Sequence, residues 1–329
     1  MRGRPGPARA ARTGSLTGKG SGSDEVVWVY GGSLTMDSGT VSGVDYAKVV
    51  WLSDGGSLAL SGGTVSGSAV DFSSFNNVVY VQGGSLTMDG GSVTGAGSVD
   101  AVDLAGGSFT LNDGTVTCTG GYDAVDVNEG SFAMAGGKIS GSELAVGGVY
   151  VDEKGSISLS GGPVIEGGVC LEANSDGTSK AITITGKLTN TDPILVDAAV
   201  PGVFTDGLKG KGTADNFACG SGWSIEVNAA GEAVLAEEYD LFLAGTRVTS
   251  ANAGDLSVID GVTVASGGEA RYDADTNTLY LKDATVTGSD EKYFEPAVLY
   301  VGNEDFTLSA AGTNILTGSE DGPDIQRRF

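Results

Sequence analysis

Histidine is absent from this 329-residue chain, and cysteine, proline and positive charge are scarce. Without imidazole the usual base that activates a serine or cysteine nucleophile is missing, and zinc and haem iron lose their commonest ligand. The three cysteines, Cys118, Cys170 and Cys219, have no metal-ligand spacing. Seven prolines and no Gly-X-Y period exclude collagen, and no apolar run approaches the length of a transmembrane span. Between Lys48 and Lys138 there is neither lysine nor arginine, while nine acidic residues fall in that stretch. A surface of that kind repels phosphate and acidic sugars, so nucleic acid is not among the expected partners.

The net charge of −24 is unevenly spread. Arg2, Arg4, Arg9, Arg12 and Lys19 place five positive charges in the first twenty residues with no acid among them, and the remainder carries −29. This opening is rich in Gly, Pro and Ala and lacks the apolar stretch of a secretory signal. The expectation is a disordered basic segment over 1–24 whose true start lies upstream.

What the chain has in abundance is glycine, 56 residues, about 17 % against a usual level near 7 %. The glycines sit at fixed phases of a repeat. Gly-Gly-Ser-Leu-Thr-Met-Asp occurs at 31–37 and again at 83–89, and the matching serines Ser33, Ser57, Ser85, Ser108, Ser131 and Ser156 are spaced by 24, 28, 23, 23 and 25 residues. A period near 24 is one turn of a stacked array. In the copy from Val78 to Gly95, three short alternating runs are separated by glycine pairs, which predicts three short strands joined by tight turns.

The fold expected is therefore all-β: a parallel β-helix, or β-solenoid, of about seven three-strand turns. Its right-handedness follows from the general preference of parallel crossovers. Alternation puts Leu34/Met36, Leu58/Leu60, Leu86/Met88, Phe109/Leu111, Phe132/Met134, Ile157/Leu159 and Ile182/Ile184 of the middle strand inward, with Val41, Val65, Val93, Val116 and Ile139 from the third. At about 4.8 Å per turn the coil is roughly 35 Å long. Cys118 falls on an inward phase and Cys170 on an outward one, which keeps the two apart. The insertion between Gly67 and Asn77, with Phe72 and Phe75, explains the 28-residue spacing and reads as a lid or contact loop. We divide the chain into the basic segment 1–24, the β-helix 25–222, a capping hairpin 223–238 turning at Ala-Ala-Gly, and from 239 to 329 a second β-module in which the repeat grammar resumes and then breaks off.

Tyr239-Asp-Leu-Phe-Leu-Ala-Gly-Thr-Arg-Val-Thr-Ser-Ala-Asn-Ala-Gly-Asp255, followed by Arg271-Tyr-Asp-Ala-Asp-Thr-Asn-Thr-Leu-Tyr-Leu281, resembles a module of large surface proteins of Firmicutes and related bacteria. These are described as adhesin-like or carbohydrate-binding-domain-containing, and they are similar in carrying Gly-Gly-Ser-Leu-Thr-Met arrays. The resemblance spans most of 25–318 and implies an exported or wall-attached protein, extracellular or on the cell surface.

Only the first strand of each turn departs from structural monotony. Its outward column reads Trp28, Trp51, Tyr80, Asp103, Asp126 and Tyr150, with one-residue slips expected at Trp51 and Tyr150. Aromatics at strand spacing make a flat strip suited to sugar rings, so Trp28, Trp51, Tyr80 and Tyr150 are candidate glycan-binding residues. They equally suit a ladder that pins register through cross-strand contacts. Asp100, Asp103, Asp123 and Asp126 come from the parallel phrases Val-Asp-Ala-Val-Asp-Leu and Tyr-Asp-Ala-Val-Asp-Val. Stacked carboxylates raise each other's pKa or recruit a cation, for which calcium is the fitting ion, or else they form an acidic face that discourages edge aggregation. Paired carboxylates also serve glycoside hydrolysis, but these recur at repeat phase as structural residues do. The reading is a non-catalytic structural or adhesive module, with no catalytic residue assigned. A carbohydrate-binding module is the alternative, and a polysaccharide lyase or hydrolase stands behind both. Expected partners are glycans or host and cell-surface molecules, and no cofactor is expected unless calcium binds.

Overall fold

Glycine pairs end each apolar run before it can lengthen, so the chain turns a corner every few residues and returns in register. The structure is a computed structural model describing residues 8–9, 14–19, 25–44, 48–69, 77–97, 99–120, 123–141, 147–288, 298–302, 305–318 and 325–327. No α-helix occurs among them, and two single 3-10 turns, Ala214–Asn216 and Leu256–Val258, are the only helical segments described. The chain divides into two compact units, 1–220 with 227–234, and 221–226 with 235–329.

The first unit is a parallel β-solenoid of about seven turns. Glu25–Tyr30, Ser33–Met36 and Thr40–Val44 form one turn and pair with Lys48–Ser53, Ser57–Leu60 and Thr64–Ala69 of the next. In the two turns that follow, Asn77–Gly97 and Asp100–Cys118, extended backbone runs through the corners without a break. Identical phases stack, so Leu34, Leu58, Leu86, Phe109, Phe132 and Ile157 fall in one column and Met36, Leu60, Met88, Leu111, Met134 and Leu159 in another. All the expected inward residues are buried except Leu34, which is half-buried at the start of the coil. Phe109 and Phe132 stack at 5.0 Å inside the core.

The corner glycines are there for lack of room. A Cβ on Gly56 would strike the carbonyl of Val29, one on Gly84 the carbonyl of Gly56, and one on Gly107 the carbonyl of Gly84. Gly107 also has φ +76°, a backbone conformation that glycine alone adopts without strain.

Two expectations need correcting. Residues 1–24 are not uniformly disordered, because Ser15–Lys19 pairs in parallel with Thr40–Val44 and Ala8–Arg9 with Leu34 and Thr35. Ser15-Leu-Thr-Gly repeats the phase of Thr40-Val-Ser-Gly, a signal masked by the surrounding basic residues. The boundary at 238/239 also fails, since Ala233–Leu243 is one strand crossing it. The hairpin does turn where expected, with Gly231 at φ +86° and the Asn228 amide donating to the Glu232 carbonyl. Its tip belongs to the solenoid, where the Glu232 carboxylate accepts from the Thr205 hydroxyl at 2.9 Å and the amides of Gly207 and Leu208 at 3.0 Å. The insertion with Phe72 and Phe75 lies outside the described residues.

In the second unit, the end of the strand Ala233–Leu243 and Thr246–Thr249 flank Ala244 and Gly245, both at positive φ. Val262–Asp273 pairs antiparallel with Thr278–Thr287 over a core of Leu241, Leu256, Tyr272, Leu279 and Val286. Parallel pairing then resumes, with Thr307–Ala311 and Ile315–Thr317 on Thr278–Thr287 and Ile325–Arg327 on Leu299–Val301.

Candidate functional site: the first-strand column

Inward Val50, Val79, Val102, Val125 and Val149 fix the first strands on the core, and the residue after each points outward. That outward column runs Trp28, Trp51, Tyr80, Asp103, Asp126, Tyr150, Cys170 and Asp197 in continuous register. The slips expected at Trp51 and Tyr150 do not occur in it. Counting from the middle strand misplaced them, because the turns between the two strands differ in length.

The aromatic part is a stack. Trp28 and Trp51 lie 4.7 Å apart and within 8° of parallel, and Tyr80 follows at 6.5 Å, tilted by 50°. Tyr30 meets Trp28 edge-on at 5.7 Å. Trp28 Nε1 donates to the Ser53 hydroxyl at 2.8 Å, whereas Trp51 Nε1 is buried without a hydrogen-bond partner. The Lys48 ammonium sits over Tyr80 at 4.8 Å and Trp51 at 5.7 Å. Rings stacked this closely present edges outward and cover one another's faces, which is the geometry of a register ladder. Trp28, 54 % exposed, is the open end of the stack. Tyr150 is not part of it, since Asp103 and Asp126 intervene, and its hydroxyl donates to Glu172 at 2.9 Å. Burial, followed by that carboxylate, pushes its pKa up.

The four aspartates do come together. Asp103 and Asp126 share the outward column, and Asp100 stands in the next column after Lys48 and Asn77. Burial raises Asp100 to about 8, with help from the charges of Asp126, Asp103 and Asp123. Burial likewise raises Asp126 to about 7 and Asp123 to about 6. Asp103 is raised by burial too, against the opposing pull of Asn128, Asn77 and Lys48. Asn77 donates to Asp103, and the Asn128 amide donates to Asp103 at 3.1 Å and Asp126 at 3.0 Å, leaving one Asp126 oxygen buried and unpartnered. The cluster therefore holds protons near neutral pH and is tied by carboxamides. Among the described residues no group of three or more Asp, Glu or Cys side chains is arranged to hold a metal ion, so the calcium expectation gains no support.

Lys48, Asn77 and Asn128 went unrecognised in the sequence. For Lys48 and Asn77 the signal was present in the phrases Lys48-Val-Val-Trp, Asn77-Val-Val-Tyr and Asp100-Ala-Val-Asp, which set three polar residues at one phase, whereas Asn128 stands outside it. Cys118 is buried and Cys170 half-buried, and burial pushes the Cys170 thiol up to about 11, far from a reactive thiolate.

No family model matches this chain. Neither curated proteins nor solved structures give a match. One further feature, in the second unit, is a cleft of about 450 Å³ lined by Glu226, Glu238, Phe242, Arg247, Thr249 and Asn252. Arg247 lies over the Phe242 ring at 4.6 Å and 3.4 Å from Glu238, and Thr249 donates to Glu226 at 2.6 Å. Long-range strand pairing assembles it, so no local motif announces it. Within the cleft Arg247 is paired with Glu238, and the Glu226 carboxylate is held by the Thr249 hydroxyl.

Proposed function

We propose that this chain is a non-catalytic structural and adhesive β-solenoid module of a secreted or cell-surface bacterial protein. The observation that carries this reading is the ring-on-ring packing of Trp28 and Trp51. Aromatics arranged to bind sugar offer a ring face to the ligand, and these spend their faces on each other. The aspartates support the same reading, being engaged by Asn77 and Asn128 at phases that recur along the coil. The absence of histidine and the raised Cys170 thiol leave nucleophilic catalysis without its usual parts.

A carbohydrate-binding module is the second reading, favoured by the exposure of Trp28 and Tyr30 at the open end of the stack. A glycan array separates the two. The structural reading expects no saturable binding, and binding that disappears in Trp28→Ala while the fold persists would replace it with the module. Oligosaccharide cleavage lost in Asp103→Asn would instead establish an enzyme.

A further inference from the structure

The cleft of the second unit has no part in the proposed function. Its volume of about 450 Å³ is that of a site enclosing a small molecule. Ser224 and Glu226 of Trp223–Val227, and Arg247 and Thr249 of Thr246–Thr249, stand two residues apart, so strand alternation turns each pair to one side. Ala233–Leu243, with which both strands pair, adds Glu238 and Phe242. Asn252 fixes the last of the three strands. Its side-chain oxygen accepts from the Thr249 amide at 2.9 Å, and its side-chain nitrogen donates to the Arg247 carbonyl at 3.2 Å.

Charge and ring geometry narrow what the cleft can hold. Two carboxylates, Glu226 and Glu238, line it against one cation, Arg247, so one negative charge is left over. The guanidinium stands 3.4 Å from Glu238, while Glu226 accepts only from the Thr249 hydroxyl, at 2.6 Å from one of its two oxygens. The excess charge therefore sits on Glu226. Ser224, two residues earlier on the same strand, has a buried hydroxyl oxygen with no hydrogen-bond partner. Phe242 offers no free face, being 6 % exposed with Arg247 over its ring at 4.6 Å. The cleft thus selects a compact, positively charged donor and not a flat ring.

We propose that this cleft binds a primary ammonium group, carried by a free alkylamine or by a lysine side chain, with Glu226 as its counter-ion. An ammonium brings three N–H donors on one compact charge, which match acceptors at Glu226, Ser224 and the Thr249 hydroxyl oxygen. A guanidinium ligand gains most from an aromatic face, and Arg247 already occupies that of Phe242. The inference does not depend on how the first-strand column is read.

Isothermal titration calorimetry on the full chain tests it. The probes are n-butylamine and Nα-acetyl-lysine methylamide as the two sources of the ammonium, with butanol and butanoate as neutral and anionic controls. Saturable binding is expected for at least one amine, weakening with added salt, and for neither control. Tighter binding of the lysine derivative assigns the group to a protein side chain, and tighter binding of butylamine to a free amine. Glu226→Gln should weaken amine binding about tenfold with unchanged circular dichroism. Arg247→Gln should strengthen it about threefold, because Glu238 loses its competing cation. The proposal is overturned if neither amine binds, or if a folded Glu226→Gln chain binds the amine as the wild type does. Amine affinity that stays level or falls in folded Arg247→Gln overturns it too, as does butanoate binding that this substitution abolishes.

Discussion

Trp28 and Trp51 stack face to face at 4.7 Å across two adjacent turns, and Trp51 is the member with neighbours on both sides. Removing Trp51 should therefore cost more than removing Trp28. Trp51→Ala is expected to lower the unfolding free energy by about 2–3 kcal/mol and Trp28→Ala by about 1 kcal/mol. Trp51→Phe should cost less than Trp51→Ala, because it keeps a ring and deletes the buried, unpartnered Nε1. Urea titrations of the three variants check this ordering.

The aspartate cluster makes stability depend on pH with an unusual sign. Asp100, Asp126 and Asp123 are held at about 8, 7 and 6, above the 3.8 expected of the unfolded chain. Between pH 3.8 and about 8 the folded state binds more protons, so these groups make the coil lose stability as pH rises through that window. Below it both states are protonated and the dependence vanishes. Asp100→Asn should flatten the slope and raise the unfolding free energy at pH 8 by on the order of 2 kcal/mol. Chemical unfolding at a series of pH values measures both effects.

Glu232 shows the opposite case. Burial works to raise its carboxyl, but hydrogen bonds from Leu208, Thr205 and Gly207 outweigh this and hold it below the usual range. Its contribution is present above the unfolded value of 4.5 and is lost as pH falls through the folded one. Glu232→Ala should cost about 1–3 kcal/mol at neutral pH, with the loss shrinking in acid. Thermal melts at two pH values decide the point.

Two glycines separate crowding from backbone conformation. Gly55 has φ +79° and open space around its missing Cβ, so Gly55→Ala should cost about 1 kcal/mol. Gly84 has no positive φ, yet its Cβ would meet the Gly56 carbonyl of the turn below. Gly84→Ala should cost about 3 kcal/mol or more, since that backbone cannot yield without breaking register. Comparative urea titrations give both values.

The solenoid was legible because its signals are local and repeated. Leu86, Thr87 and Met88 reveal their faces by alternation alone, and the same alternation in several copies removes the ambiguity of any single one. The coil at Ser15–Lys19 was missed because its only marker is Ser-Leu-Thr-Gly among basic residues. The aspartates were legible as a cluster, but their bonds were not, because Asn77 reaches Asp103 from the neighbouring turn and Asn128 bridges Asp103 of the neighbouring turn to Asp126 two residues before it. Ring orientation is not written in the sequence either. A column of Trp, Trp and Tyr is compatible with flat presentation or mutual stacking, and side-chain torsions choose between them.

On the proposed function, the first-strand aromatics hold the coil together and do not receive a sugar. Its most direct test is the urea midpoint of the wild-type chain with and without a panel of soluble oligosaccharides, since any ligand that binds the folded state alone raises it. An unchanged midpoint is expected with every member of the panel. A midpoint that rises with one oligosaccharide, and no longer rises in Trp28→Ala, would contradict it.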